Sequence, residues 1–174
     1  MKSLFGFLLF CLAMVCSATA QHLLELPKTW KFRTDSANVG VSQQWFARDF
    51  DDSRWSDIKI GVLWESEGYD YDGYAWYRVR FRVPKDWGTD SVFLILGGVD
   101  DIYDVYLNDK FVASHGSLEN HITVYSTFTS TDLTPLINHS GENTLTIRVY
   151  DWGGGGGIWK QPIAIVSDVR PFQP

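Results

Sequence analysis

Two tandem carboxylates, Asp100-Asp101, and an acid beside an indole, Asp151-Trp152, are the residues of this chain best suited to binding chemistry. A carboxylate accepts hydrogen bonds from two hydroxyls at once, and an indole covers the apolar C–H face of a ring, so together they suit a sugar. Trp64, Glu65, Glu67, Asp70 and Asp72 repeat the combination in a polar, glycine-bearing stretch, and Trp159 follows a run of five glycines at 153–157. The candidate ligand-binding set is therefore Trp64, Glu65, Asp72, Asp100, Asp101, Asp151, Trp152 and Trp159, with His115 and Glu119 on a further loop. The same carboxylates are of the type that holds calcium, although no EF-hand pattern is present. The plain alternative is that Asp100-Asp101 is a turn and Asp151 caps backbone N–H groups of the glycine run.

Other chemistries fit poorly. A phosphate loop needs Gly-Lys-Ser/Thr after its spacer, and Ile158-Trp159 stands there instead; the dinucleotide fingerprint fails as well. The glycine run reads as backbone that needs positive φ or a close approach to a neighbour. No G-x-S-x-G elbow occurs, and four scattered histidines suggest neither a triad nor a zinc site. With 21 carboxylates in the chain, a pair at glycosidase separation would arise by accident, so abundance is no evidence for hydrolysis.

The elements that must position these residues are strands. From Tyr77 to Val83, Tyr77, Val79, Phe81 and Val83 alternate with Arg78, Arg80 and Arg82, the period-2 pattern of a half-buried antiparallel strand. The arginine row reads as a solvated outer face paired across strands, with an acidic glycan or a partner domain as the functional alternative. Further strands are expected at 29–33, 57–60, 75–83, 92–96, 102–107, 110–113, 122–128, 144–150 and 163–167, with a helical turn and loop over 45–55. Residues 92–96 are apolar on both faces and belong at the centre of a sheet. Asn108-Asp109 reads as a tight hairpin turn, since both residues tolerate positive φ. The fold class is all-β, an antiparallel jelly-roll sandwich.

Antiparallel neighbours reverse at each connection, so alternate loops share one end of such a sandwich. That parity puts loops 61–74, 97–101, 114–120 and 151–161 together, and with them the whole candidate set. Trp30, Trp45, Trp55 and Trp76 read as packing residues, while Trp64, Trp152 and Trp159 are the expected exposed indoles.

Residues 1–20 have the form of a secretory leader: Lys2, an apolar run from Leu4 to Val15, and Ala18-Thr19-Ala20 before Gln21. Cys16 offers lipid anchoring instead, against which Val15 occupies the position where a small residue is wanted. Both cysteines, Cys11 and Cys16, fall in this segment, so a processed chain would have no disulfide or thiol chemistry. Secretion to a periplasm or cell surface is the expected address. The rest of the 174 residues, 21–174, is sized for one domain. A net charge of -6 disfavours nucleic acid and anionic membranes as partners, and the apolar run is too short to span a bilayer.

Four blocks carry a resemblance: Asp72-Gly73-Tyr74-Ala75-Trp76-Tyr77-Arg78, Leu96-Gly97-Gly98-Val99-Asp100-Asp101, Val105-Tyr106-Leu107-Asn108 and Ile147-Arg148-Val149. In this order they resemble the N-terminal sugar-binding, galactose-binding-like domain of glycoside hydrolase family 2. Gly98-Val99-Asp100-Asp101 and Asp151-Trp152-Gly153-Gly154 are also similar to the family 2-like domain of sialate O-acetylesterases. The resemblance implies a noncatalytic carbohydrate-binding or accessory module whose partner is a sugar or a hydrolase catalytic domain. Its loop at 64–72 would reach toward that partner's active site. The catalytic groups of both families lie in other domains, so no residue here inherits them. The alternatives are a truncated N-terminal piece of a β-galactosidase, β-glucuronidase or acetylesterase, and a structural docking domain.

Overall fold

The computed structural model describes residues 22–88 and 91–167. The leader, Cys11 and Cys16 lie outside the described residues. The strands are β1 (His22–Glu25), β2 (Thr29–Thr34), β3 (Ser56–Lys59), β4 (Gly73–Phe81), β5 (Val92–Asp100), β6 (Ile102–Leu107), β7 (Lys110–His115), β8 (Thr129–Asp132), β9 (Asn143–Asp151) and β10 (Gly157–Ser167). They form a four-stranded sheet, β1-β10-β5-β8, and a six-stranded sheet, β3-β2-β4-β9-β6-β7, all antiparallel. This is the all-β sandwich that the alternation and turn spacing require.

The core lies between the sheets. Trp30, Phe32, Tyr77, Val79, Leu145, Ile147 and Val149 of the larger sheet meet Val92, Leu94, Leu96, Ile163 and Ile165 of the smaller one. β5 is an interior strand, as its two-sided apolarity demands. Asn108 and Asp109 make the β6–β7 hairpin with φ of 48° and 74°.

Two local expectations fail. Residues 122–128 form no strand; Val124 N–H bonds to the Asp101 carbonyl at 2.8 Å instead of entering a ladder, and the edge strand is the following β8. Segment 45–55 is a chain of turns without a helix, and the helical turn lies at Trp64–Glu67, a stretch read as plain loop.

The larger correction concerns the arginine row. The outer face of the six-stranded sheet is covered in its lower half by residues 35–55, which bury Trp45 and Trp55 against Trp76 and Tyr106 in a second small core. Arg78 lies beneath this cover at 1% exposure. Its Nε donates to Asp52 Oδ2 at 2.9 Å, Nη2 donates to the Ala47 carbonyl at 3.0 Å, and Nη1 donates to the Trp45 carbonyl and, at 3.3 Å, to Thr146 Oγ1. Arg80 shares Asp52 from the rim of the cover, and Arg82 alone is fully solvent-facing. Alternation gives the side of the strand, but not what lies on that side. Burial pushes the Asp52 carboxyl up, and the hydrogen bonds from Arg78 and Arg80 outweigh it, holding the group below the usual aspartate range.

Removing one partner of a buried pair leaves the other charge uncompensated, at about 3–5 kcal/mol. Asp52→Ala should lower the urea midpoint accordingly, whereas Arg82→Ala should change stability by less than about 0.5 kcal/mol. Equal midpoints for the two variants would show that the pair does not hold the cover in place.

Candidate functional site

Strand register assembles the upper end. Gly73 pairs with Asp151, Gly157 with Asp100, and Ile102 with Tyr150, so the start of β4, the end of β5, the start of β6 and the β9–β10 loop all meet there. Loop parity from the sequence therefore holds, even though one strand behind it was misplaced.

Trp64 departs from its expected role. It is 0% exposed, its Nε1 donates to the Tyr71 carbonyl at 3.0 Å, and its ring packs on Phe32 and Tyr71. The glycine run explains the burial. A Cβ on Gly156 would fall 2.2 Å from the indole, and one on Gly157, at φ +108°, would fall 2.5 Å from the Tyr77 hydroxyl. Only bare backbone fits over these rings, so Trp64 is a core residue rather than a ligand platform. Glu65 answers the same loop from the other side, both carboxylate oxygens accepting from Gly156 N–H at 3.2 Å.

The tandem acids divide the work. Asp101 is 6% exposed and serves as a hub: Oδ1 accepts from Thr123 Oγ1 at 2.8 Å, Oδ2 accepts from Trp152 N–H at 3.2 Å, and its carbonyl accepts from Val124 N–H. The Asp100–Asp101 peptide is cis. Asp151 is fully buried, with Oδ1 accepting from Gly153 N–H at 2.9 Å and Oδ2 lacking any donor among the described residues. Asp101 and Asp151 thus act chiefly as loop anchors, which is the plainer reading of the sequence. Asp100 is half-buried, and Asp72 and Trp152 are exposed. Trp159 is half-buried with Nε1 donating to the Tyr125 carbonyl at 2.7 Å. Thr123 belongs to this end too; nothing in its sequence context marks it, because its partner is 22 residues away by number.

The end is electrostatically loaded. Burial first, then the hydrogen bond to Asp101 and the charges of Asp101, Asp151 and Glu65, push the Asp100 carboxyl up to about 7. Burial and the charges of Asp101 and Asp72 push Asp151 up to about 6, against the pull of Gly153 N–H. No group of three or more His, Cys, Asp or Glu side chains placed to hold a metal occurs among the described residues. A carboxyl that titrates near neutrality can move a proton.

The family described as "Beta-galactosidase second all-beta domain" matches residues 41–154. The β-galactosidase of Priestia megaterium is 26% identical over 170 residues, covering 83% of this chain and 16% of that protein. For the β-galactosidase of Psychromonas ingrahamii the figures are 24% over 160 residues, 80% and 15%. The chain thus spans about a sixth of the length of these curated relatives. Among solved structures, the β-glucuronidase from Ruminococcus gnavus in complex with D-glucuronic acid superposes with a TM-score of 0.72 at 14% identity, over 84% of this chain and 29% of that one. A β-glucuronidase from an uncultured Clostridium sp. gives 0.69 at 23% identity, over 85% and 29%. These relatives carry the likeness to family 2 hydrolases; the likeness to sialate O-acetylesterases rests on the sequence blocks alone.

The raised proton affinity of Asp100 has a measurable consequence. Aspartate ordinarily titrates near 3.8, and Asp100 in the fold titrates at about 7. Between those values the folded state binds more protons than the unfolded one, so stability falls as pH rises through the window, and Asp151 adds in the same sense up to about 6. Asp100→Asn, which cannot ionise, should raise stability at pH 8 and shrink the loss between pH 5 and pH 8 in urea denaturation. A stability that rises across that interval and ignores the substitution would contradict the arrangement.

Proposed function

The chain belongs to the β-galactosidase second all-beta domain family, and on that premise we propose that it is a noncatalytic carbohydrate-binding or accessory domain working beside a hydrolase catalytic domain. The observation that carries this reading is the upper end itself. Four loops converge there, three anchored acids fix their geometry, and Asp100, Asp72 and Trp152 remain within reach of a ligand. The fraction of the relatives' length that the chain spans supports a catalytic domain as its partner, whether covalently continuous or separate. A leader at residues 1–20 would deliver it to a periplasm or cell surface, and no helix among the described residues is long and apolar enough to cross a membrane.

Of the two sugar types in the relatives' names, the neutral galactoside suits this end better. A uronate would bring a carboxylate toward Glu65, Asp72 and Asp100, and like charges held close cost free energy. One lost hydrogen bond to a charged group is worth about 1.5–3 kcal/mol, or about ten- to hundredfold in affinity.

Calorimetric titration of the chain with methyl β-galactoside should therefore show weak binding that Asp100→Ala reduces at least tenfold, with methyl β-glucuronide binding less well. Nitrophenyl β-galactoside should be hydrolysed no faster than background. Turnover abolished by a single carboxylate substitution would overturn the noncatalytic assignment. Tighter binding of the glucuronide would overturn the choice of sugar.

A further inference from the structure

The outer face of the six-stranded sheet is only half covered. Residues 35–55 seal Trp76, Arg78 and Tyr106, and the cover ends at Asn38, whose Oδ1 accepts from Arg148 Nη2 at 2.6 Å. Above that border the next cross-strand row is Tyr74, Tyr150 and Ile102, followed down the face by Arg148, Asp104 and Ser114. The turn that carries Gly116 to Glu119 rises beyond them as the opposite wall. Between wall and cover lies a groove of about 320 Å³. That is the lower end of the range for small-molecule sites.

We propose that this groove is a second carbohydrate-binding site, separate from the upper end and selective for a neutral sugar unit. It rests on the carbohydrate-binding reading above. Three features of the floor point to that ligand. The Tyr74 and Tyr150 rings meet at 50° with centroids 4.5 Å apart, and with Arg148 over the Tyr74 ring it is half-buried Tyr150 that offers aromatic surface for the C–H face of a pyranose. The floor is held in place: the Arg148 guanidinium sits 3.8 Å over the Tyr74 ring and pairs with Asp104 at 3.2 Å, and Ser114 Oγ donates to Asp104 at 2.6 Å. Finally, the one unpaired charge among the described residues lining the groove is negative. Arg148 Nη1 and Nη2 donate to Asp104 and Asn38, its Nε is buried without a partner among the described residues, and its charge is balanced by Asp104, while Glu119 stands exposed on the wall without a hydrogen-bond partner among the described residues. A sugar hydroxyl can donate to the Glu119 carboxylate, and an anionic sugar would meet that charge unfavourably. From Tyr150 the aromatic surface continues to Trp152, 6.5 Å away, and so joins the groove to the upper end. An oligosaccharide can then run from one to the other.

The test uses the chain with β-1,4-galactotetraose and, as the anionic counterpart, tetragalacturonate, read by titration and by amide shifts in NMR. Galactotetraose should perturb Tyr74, Ser114, Ser117 and Tyr150. Tyr150→Ala should weaken binding at least tenfold with Tyr150→Phe restoring it, and Glu119→Ala, on the exposed wall, should weaken binding several-fold. If Tyr150→Ala fails to fold by circular dichroism, Glu119→Ala and the shift map decide. Binding that is lost in Asp100→Ala but untouched by the groove variants would overturn the groove and leave the upper-end reading standing. No binding of either tetrasaccharide would overturn both, and preference for tetragalacturonate would overturn the neutral selectivity.

Discussion

The upper end of this sandwich is built outward from one contact, the Trp64 indole lying flush against the backbone of Gly156. The contact excludes any side chain at Gly156 and pins two loops that are more than eighty residues apart in sequence. Backbone bonds then lock them together: Trp64 N–H to the Gly156 carbonyl at 3.0 Å, and Gly61 N–H to the Ile158 carbonyl at 2.8 Å. Glu65 closes the clasp on Gly156 N–H. With β10 held there, Gly157 falls opposite Asp100, and the acids take up their positions. Gly156 and Gly157 are thus a structural requirement of the rings placed beneath them, whereas Gly153 and Gly154 are set by positive φ alone.

Keeping three carboxyls in contact is costly at neutral pH, since burial and mutual repulsion both disfavour their charged forms. The fold tolerates this because two of the three do structural work through backbone N–H groups, Asp101 on Trp152 and Asp151 on Gly153. The third, Asp100, at the side that solvent reaches, has its proton affinity raised furthest, to about 7 against about 6 for Asp151. Perturbed acids in such a place are characteristic of sites that bind or act on ligands. Here they make the upper end strongly acidic.

The second organising force is the cover over the arginine row. Arg78 is buried only because residues 35–55 bring both a carboxylate and backbone carbonyls to its guanidinium. Where the cover stops, at Asn38 and Arg148, the same sheet face changes from sealed core to open groove. One face of one sheet therefore plays two parts, and the border between them is a single side-chain hydrogen bond.

Period-2 alternation, turn chemistry and two-sided apolarity were sufficient to read the all-β sandwich, the central place of β5, the Asn108-Asp109 hairpin and the gathering of Asp72, Asp100, Asp101, Asp151 and Trp152 at one end. These follow from local rules, because pleat and strand reversal act residue by residue along the chain. Tertiary structure decided which of the gathered residues face a ligand. Trp64 looks like any loop indole until Gly156 lies on it, Arg78 like any solvated arginine until Asp52 arrives, and residues 122–128 like a strand until Asp101 takes their backbone bond. In each case the partner is distant in sequence. Burial and hydrogen-bond satisfaction belong to a residue's neighbours in space, which strand periodicity does not encode.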